Sequence, residues 1–185
     1  MQLIQSLPID AETYVAEDFH RCIRPPPECP NCGRIGHLPA LGYYERNLSR
    51  LGKGVIRIKI RRFRCRACKK TVSILPQFAQ PYRVVQNETI ELFIRGAPYD
   101  ECVTRWMSIL PRYRQRFVRW LPEIKRVMEF DSNRAPPEDD RALEWWPRIL
   151  AKYGNLGGAT LVFVSLFGIT LFGRYQCHRP NPPLG

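Results

Sequence analysis

Acidic residues are missing where basic ones crowd. From Arg50 to Lys70 the chain carries ten Lys/Arg and no Asp or Glu. Over all 185 residues, 29 Lys/Arg face 17 Asp/Glu, a formal net charge of +12 with a pI near 9.7. That imbalance argues against a polycationic partner. It points to a polyanion, nucleic acid first and an anionic membrane surface second. Histidine is nearly absent, with only His20, His37 and His178. No Gly-rich phosphate loop and no nucleophile–base pair is legible. A secretory leader is lacking too: the first 23 residues carry Asp10, Glu12, Glu17 and Asp18 instead of a basic start and an apolar run. A reducing cytosol is therefore the expected setting, and there paired cysteines favour metal over disulfide.

What is present is organised around Cys29-Pro30-Asn31-Cys32-Gly33 and Cys65-Arg66-Ala67-Cys68-Lys69. A Cys-x-x-Cys turn can aim both thiolates at one point, and two such turns close a tetrahedral four-sulfur zinc site. Pro30 presets φ and Gly33 allows the backbone to fold back beneath an ion. The expectation is one structural Zn2+ held by Cys29, Cys32, Cys65 and Cys68. Disulfides, a redox-active Cys-x-x-Cys and rubredoxin-like iron remain open readings of the same four sulfurs. With four cysteines filling the shell, His37 is a reserve ligand only. Cys102 is expected in a helix core, with Cys22 and Cys177 incidental.

In chain order, residues 1–24 read as an acidic, weakly apolar leader, either lying across the basic region or forming a mobile arm. Arg24-Pro25-Pro26-Pro27 stiffens the approach to the first cysteine pair. Residues 41–46 read as a strand, 49–54 as a glycine-containing turn, and 55–65 (VIRIKIRRFRC) as the returning strand. Period two puts Ile56, Ile58 and Ile60 on one face and Arg57, Lys59 and Arg61 on the other. Residues 71–75 supply a third strand. The predicted unit is a three-stranded zinc ribbon over residues 25–82, with too small a core to stand without its metal. Its cations Arg57, Lys59, Arg61, Arg62, Arg64 and Arg66 are candidate DNA contacts, since arginine suits bidentate phosphate or guanine recognition.

Residues 83–130 read as helical. One amphipathic helix is predicted over 84–95, and a second after Asp100 with Cys102, Val103, Trp106, Met107 and Leu110 as its apolar positions. A third covers 112–121, with Pro122 expected to end it before another helix at 123–130. In the third, Tyr113, Phe117, Trp120 and Leu121 share one side and Arg112, Arg116 and Arg119 the other. That is the division a helix-turn-helix recognition helix needs, and equally that of an ordinary helix with a solvated basic face. Residues 132–140 read as a linker. From residue 153 to 173 there are 21 consecutive uncharged residues, long enough to span a bilayer but broken by five glycines. A buried or partner-docking C-terminal helix is the preferred reading, and a membrane anchor the alternative.

The run CPNCG…GYYERN…IRIKIRRFRCRACKKTVSILPQFAQPY resembles the N-terminal zinc-ribbon segment of bacterial insertion-sequence transposases. It is similar as well to short bacterial zinc-ribbon proteins related to them. The likeness covers residues 28–82, and residues 83–130 echo in pattern the helix-turn-helix that follows there. It implies zinc ligation by Cys29, Cys32, Cys65 and Cys68, and sequence-specific DNA binding in the setting of mobile elements. Such transposases also carry a catalytic domain whose three spaced acids hold two divalent metals. After Phe130 this chain offers only Asp131, Glu138, Asp139, Asp140 and Glu144, clustered in a linker and one helix. Catalysis by this chain alone is not expected.

The expectation is an α+β protein: acidic leader (1–24), small three-stranded ribbon (25–82), helix-turn-helix-like helical domain (83–130), C-terminal helical segment with an apolar helix (131–178) and a disordered tail (179–185). Its expected role is zinc-dependent DNA binding in the cytoplasm, on the nucleoid, as a transposon accessory protein, a regulator or a transposase remnant. A transposase or other protein is a second candidate partner. A docking adaptor and a subunit of a nucleic-acid-processing enzyme are the competing readings. Oligomeric state is not legible.

Overall fold

A computed structural model of the chain describes residues 1–36, 38–97, 107–132 and 141–174. His37, the second predicted helix with Asp100, Cys102, Val103 and Trp106, most of the 132–140 linker, Cys177, His178 and the tail lie outside these residues.

The alternation in VIRIKIRRFRC produces the central hairpin. Strands β2 (Ala40–Arg50) and β3 (Gly54–Arg64) run antiparallel, with a register shift between Ala40 and Gly42. Gly52 and Gly54 adopt φ of +68° and +69° at the turn, a conformation glycine takes without steric cost. Strand β4 (Thr71–Pro76) pairs antiparallel with β3, Arg61 opposite Ile74 and Arg64 opposite Thr71. Strand β1 (Gln2–Gln5) then adds parallel to β4. The order is β1-β4-β3-β2. The sheet thus has four strands where three were predicted, and the fourth comes from the leader.

The leader also supplies helix α1 (Ala11–Ala16), capped by Asp10, whose carboxylate accepts the Thr13 N–H at 2.7 Å. The Tyr14 hydroxyl donates to the Lys59 carbonyl at 2.8 Å, beyond the point where β3 stops pairing with β4. An otherwise open strand edge is covered there. Leu7, Tyr14 and Ile23 share a core with Leu48, Ile58, Ile60, Phe63, Val72 and Leu75.

A second core gathers the helices. Residues 84–86 stay extended because they pair with the sheet: the Ser49 N–H donates to the Val84 carbonyl at 2.7 Å and the Gln86 N–H to the Ser49 carbonyl at 3.1 Å. Helix α2 therefore spans only Asn87–Ile94. Helix α3 (Leu110–Ser132) is continuous through Pro122, which does not end it as predicted. A proline inside a helix costs about 3 kcal/mol. Phe117, Leu121, Ile124 and Val127 form one buried stripe across the break, each worth about 1.5–3 kcal/mol. The carbonyl that Pro122 leaves without a donor belongs to exposed Val118.

The long uncharged run is not one helix. Helix α4 (Trp145–Tyr153) and helix α5 (Leu156–Phe167) meet at a bend of 83° counted from Ala142, and a two-residue hairpin, β5 (Ile169–Thr170) with β6 (Gly173–Arg174), follows. Asn155 caps α5 by accepting the Gly158 N–H at 2.8 Å. Leu156, Ala159, Phe163 and Val164 of α5 are buried, most of them against Phe117, Trp145, Trp146 and Ile149. Among the described residues no single helix is long and apolar enough to cross a membrane.

The two cores meet across a polar junction. Gln80 donates to the Thr160 hydroxyl at 2.6 Å and Asn87 to the Gln77 carbonyl at 2.6 Å, while within the helical unit the Leu156 N–H donates to Glu91 at 2.6 Å. Burial raises the Glu91 carboxyl pKa.

Candidate metal centre

The two cysteine turns are built alike. In the first, the Gly33 N–H donates to the Cys29 carbonyl at 2.8 Å and the Cys29 N–H to the Arg34 carbonyl at 3.0 Å. In the second, the Lys69 N–H donates to the Cys65 carbonyl at 3.0 Å and the Cys65 N–H to the Lys70 carbonyl at 2.9 Å. The residue after each second cysteine is left-handed, Gly33 at φ +65° and Lys69 at +61°. Glycine adopts this conformation freely, and lysine does so under strain.

Strand β3 ends at Arg64 and delivers Cys65 opposite the first turn, so that the four sulfurs converge. Cys29 and Cys68 lie 3.7 Å apart, Cys32 and Cys65 3.8 Å apart, and all four Sγ atoms fall within 4.8 Å of one another. All four thiols are free. Four sulfurs placed about 2.3 Å from a central ion at tetrahedral angles are separated by roughly 3.8 Å. The cluster has that size, and Cys29 and Cys65 are buried. Cys29, Cys32, Cys65 and Cys68 are thus positioned to hold a metal ion, and the donor set suits zinc.

The backbone favours thiolate at two positions. The Cys68 N–H, donating to the Cys65 sulfur, brings that thiol down to about 6, and the Lys70 N–H lowers Cys68. Burial pushes Cys29 up to about 11. A central cation would overcome that cost, because a coordinating thiol is deprotonated outright.

The basic strand does not form one free face. Alternation puts Arg57, Lys59 and Arg61 on one side of β3 and Arg62 and Arg64 on the other. Arg57 pairs with Glu45 at 3.2 Å and Lys59 with Asp18 at 3.1 Å, while Glu12 takes Arg50 at 2.6 Å and Lys53 at 3.5 Å. Arg61 lies over the Phe63 ring at 5.9 Å. The carboxylates missing from residues 50–70 are supplied by the leader and by β2. Periodicity along β3 alone could not reveal these partners, since Glu45 lies on the neighbouring strand and Glu12 and Asp18 in the leader. Around the cysteines, Arg34, Arg64, Arg66, Lys69 and Lys70 are exposed and have no carboxylate partner among the described residues. Arg34 went unremarked in the sequence because one arginine in a turn has no period to mark it. On α3, Arg112, Arg116 and Arg119 are exposed opposite buried Tyr113, Phe117 and Leu121, as the helical wheel predicts, and Arg114 joins them.

Residues 29–113 match the model of a family described as a domain of unknown function (DUF6431), a stretch that includes both cysteine pairs and the start of α3. No curated protein and no solved structure matches the chain.

Proposed function

We propose that this chain is a zinc-stabilised DNA-binding module, in which a zinc ribbon presents one cationic surface and a helix-turn-helix-like region another. The observation that carries the reading is the set of exposed cations without a carboxylate partner among the described residues, in two groups: Arg34, Arg64, Arg66, Lys69 and Lys70 beside the four sulfurs, and Arg112, Arg114, Arg116 and Arg119 on α3. Cations without internal partners are the ones able to release counterions from a phosphate backbone. Arg57 and Lys59, already paired with carboxylates, contribute less. The likeness of residues 28–82 to transposase ribbons supports a role as an accessory or regulatory protein of a mobile element.

The zinc would act through structure. Held by Cys29, Cys32, Cys65 and Cys68, it fixes the end of β3 against the first turn and so fixes the spacing of Arg34, Arg64 and Arg66. The docking-adaptor reading is less favoured, since α5 spends most of its apolar face inside its own core. Of the acids a processing subunit would use, Glu138, Asp139 and Asp140 lie outside the described residues. A strand-cleavage assay with magnesium or manganese tests that role.

The test is a duplex titration across salt concentrations. The expected result is a log–log slope of about −4 or steeper, reflecting at least four to five neutralised phosphates. A slope near zero overturns the proposal.

A further inference from the structure

Between the connection that follows β4 and the first turns of α3 lies a recess of about 190 Å³. Arg83, Arg112 and Arg116 line it together with Tyr82, Tyr113 and Ile109, and among the described residues no carboxylate does. None of the three arginines has a carboxylate partner among the described residues. Tyr113 is only 3% exposed, and its hydroxyl is buried without any hydrogen-bond partner. Arg46 acts electrostatically on the same phenol. One of its guanidinium nitrogens donates to the Gln80 carbonyl, and Nη1 is buried with no acceptor. Buried donors left unpaired are rare in native proteins and each asks for an explanation.

The electrostatics agree with the geometry. Burial depresses the Arg83 guanidinium, and the nearby charge of Arg116 depresses it further. Burial pushes Tyr113 up to about 12, and its phenol, like any tyrosine's, is neutral at pH 7. The recess also sits at the first turn of α3, the positive end of a 23-residue helix. Positive charge converges here, with Arg83 over the Tyr113 ring at 6.0 Å and no carboxylate among the described residues that line the recess. The volume lies below the roughly 300–1,000 Å³ of sites for drug-sized ligands, so the ligand is a small group and not a whole cofactor.

We infer that this recess binds one phosphate group through Arg83, Arg112, Arg116 and the Tyr113 hydroxyl. In the DNA-bound protein that phosphate belongs to the duplex backbone, an assignment of source that rests on the DNA-binding reading. The chemistry of the recess does not depend on it. The occupied site would lie between the two cores and help lock α3 to the sheet, since Arg83 directly precedes the segment that pairs with Ser49.

The test uses the full, metal-loaded chain and inorganic phosphate, followed by calorimetry or phosphorus NMR. Saturable binding is expected, weakened at least ten-fold in Arg83→Gln and in Arg116→Gln. Tyr113→Phe, which keeps the ring and its packing, should weaken it less. Arg126→Gln, on the same helix but paired with Glu123 away from the recess, should leave it unchanged. Thermal melts of each variant separate lost binding from lost folding. Absence of saturable phosphate binding, or binding of equal strength in folded Arg83→Gln and Arg116→Gln, overturns the inference. In duplex titrations Arg83→Gln should reduce the salt slope by about one. Phosphate binding that depends on these arginines in a protein without duplex affinity would keep the recess and discard DNA as its source. Preference for a 5′-phosphorylated over a 5′-hydroxyl oligonucleotide would overturn the assignment to an internal backbone phosphate.

Discussion

The core beneath the hairpin and the core among the helices are filled differently. The first is mostly aliphatic, with Tyr14 and Phe63 its buried aromatics, and Cys29 and Cys65 belong to it. The second buries Tyr113, Phe117, Trp145, Trp146, Phe163 and Phe172. Aromatic side chains bury about 150–250 Å² each, so six of them supply a large share of the folding free energy of a small unit. The sheet unit has fewer buried aromatics, and its outer end carries four sulfurs positioned to hold an ion. An end built to hold a metal and an aromatic core thus share one chain, with the hydrogen bonds of Gln80 and Asn87 between them.

Metal removal should break this comparison open. Chelation, or Cys65→Ser, is expected to withdraw on the order of 10 kcal/mol from the sheet unit. Hydrogen exchange should then show lost protection in β3 and both cysteine turns while α3 to α5 stay protected. Equal loss in both regions would show a single cooperative unit. The converse perturbation is Phe117→Ala, expected to cost about 3–5 kcal/mol. It should lower the thermal midpoint of the helical core yet leave one metal per chain.

The junction is tested at Gly157. A Cβ there would sit 2.6 Å from the Gln77 carbonyl oxygen, which belongs to backbone and cannot swing aside. Gly157→Ala is expected to destabilise by about 1–3 kcal/mol despite the better helix propensity of alanine, read as increased proteolysis between the units. The smallest effect compares the two cysteine turns. Lys69→Gly should stabilise the metal-bound form by about 1 kcal/mol by relieving left-handed strain, whereas Gly33→Ala should destabilise it by a similar amount. Both are read from denaturant midpoints at fixed metal.

Much of the sheet unit was legible because its signals are local. Two Cys-x-x-Cys turns and the Ile-Arg-Ile-Lys-Ile alternation specify the centre and the hairpin within a few residues of each other. β1 was not legible: Gln2–Gln5 has only two apolar residues, and its pairing with β4 crosses some seventy positions. Separations of 38 to 41 positions hid the ion pairs of Glu12 and Asp18, so the basic strand looked freer than it is. Pro122 misled because a local breaker competes with a buried stripe that only the tertiary fold supplies. Arg83 lies in a connection without periodicity, and its relation to Arg116 exists only once α3 packs beside it.

X-ray absorption at the metal edge of the purified full-length chain addresses the central claim most directly. One zinc per chain surrounded by four sulfurs at about 2.3 Å is the predicted result. A metal-free folded chain, or an ion with two or fewer sulfur neighbours, would contradict it.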